Sequence, residues 1–172
     1  MKKLSIYALA AFSMIGTLGA ESLSLITGEN GEVTEKFDWN DTSKWTPTVS
    51  EVAGNDLKLD FSTTTEVTST INAGFTAGDV VVNVKQNAPS AADGGKGHFF
   101  INIEGDTTFD SLTYNMTSPA WWGSYIRIKT GSTLTINNDL YAGNSGTNAN
   151  FINFASNNMA DYLGNLYVKG NL

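Results

Sequence analysis

The tetrapeptide FINI at residues 100–103 places two apolar residues, one polar residue and one apolar residue in succession. The same pattern occurs as VVNV at 81–84, YIRI at 125–128 and FINF at 151–154, each time close behind a Gly- or Asn-rich segment. The second residues of these four segments are 19, 25 and 26 positions apart. Repeats of this length are typical of proteins that stack one structural unit on the next.

A single short strand cannot bury its apolar side alone, so we expect successive repeats to pair as neighbouring strands about 4.8 Å apart. Side chains alternate between the two faces of a strand, and a one-residue slip would bring polar groups into the core. We predict two inner columns of side chains. The first consists of Ile101, Ile126 and Ile152, and the second of Val84, Ile103, Ile128 and Phe154. On the outer face we expect Asn83, Asn102, Arg127 and Asn153 beside Val81, Phe100, Tyr125 and Phe151.

A second, shorter strand pattern occurs as LTYN at 112–115, LTIN at 134–137 and LYVK at 166–169, and we expect it to stack in the same way. The chain also contains eighteen asparagines. Asn closes tight turns, and stacked Asn side chains can hydrogen-bond to one another along a ladder. We therefore predict Asn ladders at the turns, for example at residues 137–139.

Helical periodicity is nearly absent after residue 21, where Asp41 or Thr42 could cap one helical turn before Pro47. We predict an all-β fold class, with a solenoid of stacked repeats over residues 56–172 that continues beyond residue 172, and an N-terminal cap over residues 21–55. The alternative is a β-sandwich, whose strands would pair antiparallel through short hairpins. The long connections between the repeats favour the solenoid.

Residues 1–20 have the plan of a secretory signal peptide. Two lysines precede the apolar run Ile6–Leu18, and small residues follow it at Gly19 and Ala20. The run is shorter than the roughly 20 residues that a membrane-spanning helix needs. The sequence therefore predicts export of a chain that begins near residue 21.

Composition excludes several kinds of partner and site. Without residues 1–20 the chain has eight basic and 17 acidic side chains, a net charge of −9, which repels nucleic acid. The absence of Cys excludes disulfides, a thiol nucleophile, a thiolate metal site and a lipid-modified cysteine. The acidic residues do not have the spacing of a calcium-binding loop, so we predict no metal site and no cofactor.

The signal peptide, GSTLTINNDLYAG (131–143) and LGNLYVKGNL (163–172) resemble the passenger regions of bacterial autotransporter adhesins and of vacuolating-toxin-like outer-membrane proteins. The resemblance covers residues 56–172. It implies a right-handed parallel β-helix, secreted or exposed at the bacterial cell surface, with a non-enzymatic adhesive or structural role in virulence. It also implies a host-cell surface protein or glycan as partner, and outer-membrane contact only through a C-terminal β-barrel that this sequence lacks. We therefore expect the chain to be either the N-terminal part of a longer protein or a stand-alone fragment.

Trp121 and Trp122, in SPAWWGS, are the candidate ligand-binding residues. Adjacent aromatic rings in a loop can stack on sugars or anchor a partner protein, although they can equally plug the open side of a repeat. One alternative function combines them with Trp39 and Trp45 as the platform of a carbohydrate-binding β-sandwich module.

Catalysis is not predicted, and we assign no catalytic residue. His98 is the single histidine, and no nucleophile motif accompanies it. Asp106 and Asp110 follow a repeat strand, and Arg127 and Lys129 lie one repeat later. Paired carboxylates cleave glycosidic bonds, so a polysaccharide lyase or glycosidase on a β-helix is the other alternative. We expect the two acids to form a solvated turn instead.

Overall fold

The computed structural model describes residues 20–86, 98–117, 124–144, 152–153 and 161–172. Over these residues the chain is all-β, with two 3-10 turns at Glu29–Gly31 and Thr42–Lys44. None of the described segments contains a helix with the length and apolar character needed to cross a membrane. The strands are β1 (Ser22–Leu25), β2 (Phe37–Asp38), β3 (Trp45–Thr46), β4 (Asp56–Thr63), β5 (Val67–Ile71), β6 (Thr76–Gln86), β7 (Phe99–Ile103), β8 (Thr107–Thr117), β9 (Ser124–Ile128), β10 (Thr133–Ile136), β11 (Leu140–Asn144), β12 (Ile152–Asn153) and β13 (Asn165–Val168).

The strands form two sheets in which parallel pairing dominates. The eight-stranded sheet has the order β13-β10-β8-β6-β4-β1-β3, with β11 also paired to β8, and the five-stranded sheet has the order β12-β9-β7-β5-β2. Every ladder between described strands is parallel except the one between β1 and β3. From β4 to β10 consecutive strands alternate between the sheets, so each strand from β6 to β10 pairs with the strand two positions earlier. The hairpins of the alternative β-sandwich are absent from the described strands.

The core lies between the two sheets and consists of the inward-facing residues of both. In the eight-stranded sheet Leu59 lies opposite Val82, which lies opposite Tyr114. Phe61 of β4 and Phe99 of β7 meet across the core, edge to face, with their ring centroids 4.9 Å apart. Because the register is shared from strand to strand, apolar side chains stack along each sheet and exclude water from the space between them.

The predicted inner columns are confirmed in the centre of the five-stranded sheet and are wrong at its edge. Two buried pairs have the predicted register: Ile101 with Ile126, and Ile103 with Ile128. Ile152 lies opposite Ser124, two residues away from the predicted partner. Phe151 and Phe154 lie outside the described residues.

Residues 81–84 belong to the eight-stranded sheet, so their predicted stacking on residues 100–103 is wrong. They lie beside residues 58–61 of β4 and 113–116 of β8. Next to β7 in the five-stranded sheet lies β5. Strands of both sheets alternate with period two, so the tetrapeptide pattern does not indicate which sheet a strand joins.

The second pattern stacks as predicted only between β10 and β13, where Leu134 lies opposite Leu166. The prediction for Leu112 is wrong, because β8 is a long strand that pairs with two shorter ones. Its first part lies beside β10, and Leu112, in its second part, lies opposite Leu140 of β11.

An asparagine ladder joins β8 to β6, where Asn115 Nδ2 donates to Asn83 Oδ1 at 2.9 Å. This pair lies within the strands, whereas a second asparagine pair lies beyond the strand ends as predicted, because Asn72 Nδ2 donates to Asn40 Oδ1 at 3.3 Å. At the predicted turn the link is a carboxylate, since Asp139 Oδ1 accepts from the backbone N and from Nδ2 of Asn171 at 2.9 and 3.0 Å. A single carboxylate oxygen of this turn residue therefore binds both the backbone N–H and the side-chain amide of a residue in the next layer.

Two tryptophans from the residues before β4 pack together in the core. Trp45 Nε1 donates to the carbonyl of Trp39 at 3.0 Å. The Trp39 ring stacks on Phe109, with centroids 6.0 Å apart and an angle of 11°, and meets Phe75 edge-on at 6.2 Å. The helical cap predicted at Asp41 is confirmed, because Asp41 Oδ1 accepts from Ser43 N at 3.0 Å. Asp41 Oδ1 also accepts from Ser43 Oγ at 2.7 Å, and this side-chain bond, followed by the backbone bond, lowers the pKa of Asp41.

A buried hydroxyl pair links the two sheets. Ser124 Oγ donates to the carbonyl of Phe99 at 3.1 Å, so the Tyr114 hydroxyl acts as the donor to Ser124 Oγ. Both side chains are fully buried, and burial raises the pKa of Tyr114 far above its usual range. The phenol therefore stays protonated and available as a donor at physiological pH.

Replacement of Ser124 by alanine is expected to lower the free energy of unfolding by about 1–3 kcal/mol, because the Tyr114 O–H becomes a buried donor without an acceptor. Tyr114→Phe removes that donor, so the double variant should be more stable than the sum of the single changes predicts. Denaturant unfolding of the four proteins measures this coupling. Strictly additive effects would contradict the assignment of Tyr114 as donor to Ser124.

Candidate functional site

The tryptophans considered as ligand-binding residues fall into two groups. Trp121 and Trp122 lie outside the described residues. Trp39 and Trp45 lie in the core with exposed fractions of 0% and 1%. These two rings therefore offer no face on which a sugar could stack, and their role is structural.

Asp106 and Asp110 bind the turns of the eight-stranded sheet. Asp106 Oδ1 accepts from the backbone N–H of the first residue of β10 at 2.9 Å, and Asp110 Oδ1 accepts from Asn137 Nδ2 at 3.1 Å. Neither carboxylate forms an ion pair with a basic residue in the described part of the chain. Arg127 lies in β9 of the five-stranded sheet, and Lys129 directly follows that strand. The two acidic residues and the two basic residues therefore do not form one site.

The outer face of β7 and β9 carries a cluster of aromatic rings around one cation. Phe100 lies opposite Tyr125 in the ladder, and their rings stack with centroids 5.2 Å apart at an angle of 25°. The His98 ring lies 5.7 Å from each of them. With Arg127 and Tyr162, these residues form what we call the aromatic–arginine patch.

Arg127 lies in the centre of this patch. Its Cζ is 3.6 Å from the centroid of the Phe100 ring and 5.9 Å from the centroids of Tyr125 and Tyr162. It forms no hydrogen bond or ion pair with any described residue, and its Nε is buried without a partner. Burial lowers the pKa of the guanidinium. Asn102, opposite Arg127 in the ladder, likewise has a buried Oδ1 without a partner.

Glu104, the carboxylate at the edge of the patch, is occupied by other residues. The Tyr162 hydroxyl donates to its Oε1 at 3.0 Å, and Lys129 Nζ lies 3.3 Å from its Oε2. Burial and the bond to Glu104 raise the pKa of Tyr162. Both oxygens of Glu104 are thus engaged, and Arg127 retains its donors.

A separate cavity of about 290 Å³ opens beside β1 and β2, and its lining mixes apolar side chains such as Leu25 and Phe37 with acidic and basic ones such as Glu35 and Lys44. Within the described ranges, no three His, Asp or Glu residues are grouped closely enough to hold a metal ion. The aromatic–arginine patch therefore has the most specific chemistry among the described surfaces.

The alternation of the tetrapeptides predicts that Phe100, Tyr125 and Arg127 share the outer face, which the register confirms. It does not predict that Arg127 stacks on Phe100 or that Tyr162 joins them. The available signal was compositional, since Arg127 is the single arginine of the chain. None of the protein-family models, curated proteins and solved structures compared with this chain matches it.

Proposed function

We propose that the chain is a secreted, non-enzymatic adhesin-like protein of the bacterial cell surface, built as a right-handed parallel β-helix. The observation that carries this proposal is the alternation of consecutive strands from β4 to β10 between two parallel sheets. A chain that returns to the same sheet in parallel does so with a right-handed crossover in about 98% of cases. Successive turns of that kind add up to a right-handed coil.

An adhesive role fits the outer surface of such a coil. Stacked strands present rows of outward side chains on a rigid support, and the aromatic–arginine patch is one such row. The carboxylates that would serve a lyase or glycosidase are bound into turns at Asp106 and Asp110. These contacts favour binding over cleavage, with a host-cell protein or glycan as partner. The signal peptide predicted over residues 1–20 supports delivery to the cell surface.

Labelled chain from residue 21 onward is expected to bind animal cells without degrading their glycans. Flow cytometry measures the binding, and treatment of the cells with protease or with glycosidases separates protein from glycan partners. A parallel incubation with acidic and neutral polysaccharides, assayed for reducing ends, tests for cleavage. Release of reducing ends would support the lyase or glycosidase alternative in place of the adhesin. Absence of cell binding would contradict the proposed adhesive role.

A further inference from the structure

Arg127, the cation of the patch, forms no ion pair with a described carboxylate. The chain has 17 carboxylates and a single arginine, yet none of the described carboxylates forms an ion pair with Arg127. A guanidinium carries five N–H donors, and the surrounding aromatic rings attract its charge without replacing the hydrogen bonds that these donors make to water. Lys129, two residues later, has its carboxylate in Glu104. The fold thus pairs the neighbouring lysine with a carboxylate, whereas the Glu66 carboxylate attracts Arg127 only from beyond ion-pair distance.

From this arrangement we infer that the aromatic–arginine patch binds a carboxylate-bearing sugar, such as a uronic or sialic acid unit at the end or within a glycan. The inference rests on the proposed adhesive function and names its ligand class. A planar guanidinium matches a carboxylate in a two-bond fork, which an ammonium group cannot reproduce. Phe100 beneath Arg127 holds the guanidinium in place before the ligand arrives.

The surrounding groups select a sugar over other anions. Tyr125 and His98 are half-buried rings beside the cation, and their exposed parts offer apolar surface to the C–H face of a sugar ring. A polyphosphate offers no such face and is repelled by the net charge of −9 on the exported chain.

Isothermal titration of the chain from residue 21 onward tests the inference with four probes: sialyllactose, lactose, oligogalacturonate and its methyl ester. We expect binding to at least one acidic sugar and at least about 10-fold weaker binding to its neutral counterpart. Arg127→Ala should weaken that binding by about 10- to 100-fold, and Arg127→Lys should restore only part of it. Lys129→Ala is the matched control, because it removes a neighbouring cation whose anion is internal, and binding should change less than about 3-fold.

Far-UV circular dichroism and the unfolding midpoint show whether each variant is folded. The inference is overturned if no acidic sugar binds at up to about 10 mM, if neutral and acidic probes bind equally, or if folded Arg127→Ala binds like the parent chain. Poly-glutamate is titrated as a fifth probe, and its binding without binding of either acidic sugar would overturn the inference in favour of an acidic peptide. If the chain still attaches to cells while both acidic sugars fail, the adhesive function stands and only the ligand class is lost.

Discussion

Replacement of Leu59 by asparagine is expected to lower the free energy of unfolding by about 3–5 kcal/mol. Leu59 has no exposed surface and lies in the middle of β4, opposite Val82. The change removes the burial of a leucine side chain, about 2–3 kcal/mol, and leaves an amide inside the core without partners, about 1–3 kcal/mol. Urea unfolding followed by far-UV circular dichroism measures the loss, which is a large fraction of the about 5–15 kcal/mol that keeps an ordinary domain folded.

The next residue of the same strand supplies the control. Asp60 points outward, opposite Asn83, which is bonded to Asn115. Asp60→Asn introduces the same side chain one position along, where water and Asn83 can satisfy it, so the free energy of unfolding should change by less than about 0.5 kcal/mol. Equal losses at positions 59 and 60 would show that the two faces of β4 are not distinguished, and the register described here would be wrong.

Truncation of Trp39 to alanine is expected to lower the free energy of unfolding by about 3–5 kcal/mol. The indole is completely buried and packs against Phe75 and Phe109 in the core, so its loss leaves a large cavity. Denaturant unfolding measured by circular dichroism avoids dependence on the fluorescence that the removed ring contributes.

Two further variants separate packing from other effects of removing Trp39. Tyr167→Ala removes an aromatic ring that is 57% exposed and should change stability by less than about 1 kcal/mol. Trp39→Phe keeps a ring in the core and removes an indole N–H that is buried without a partner. It should therefore lose no more than half of the free energy of unfolding that Trp39→Ala loses. A loss from Trp39→Ala no larger than that from Tyr167→Ala would mean that Trp39 does not pack in the core.

Period-two alternation predicted which side chains of the repeats face inward, as Ile101 and Ile126 show. It could not assign residues 81–84 to the correct sheet, because a strand has the same alternation whichever sheet it joins. That assignment depends on the lengths of the intervening turns. The ladder position of residue 152 is displaced by an even number of residues, and for the same reason the sequence pattern could not detect the displacement.

The candidate site was predictable only in part. Alternation places Arg127 outward, and its status as the single arginine is visible in the sequence. Its contact with Phe100, by contrast, depends on a register between strands 27 residues apart. Tyr162 reaches Glu104 from 58 residues away, through a bond that no local pattern encodes.

The reversed direction of β3 makes the eight-stranded sheet asymmetric for assembly. On that side the backbone of β1 pairs with β3, a strand of two residues that runs antiparallel to it. Pro47 follows β3 and has no N–H to donate. A strand from another molecule that approached this edge could pair only with the two residues of β3, which run opposite to the rest of the sheet. This arrangement disfavours edge-to-edge polymerisation at β3. Among the described strands, the eight-stranded sheet thus offers a parallel edge at β13 and an antiparallel one at β3.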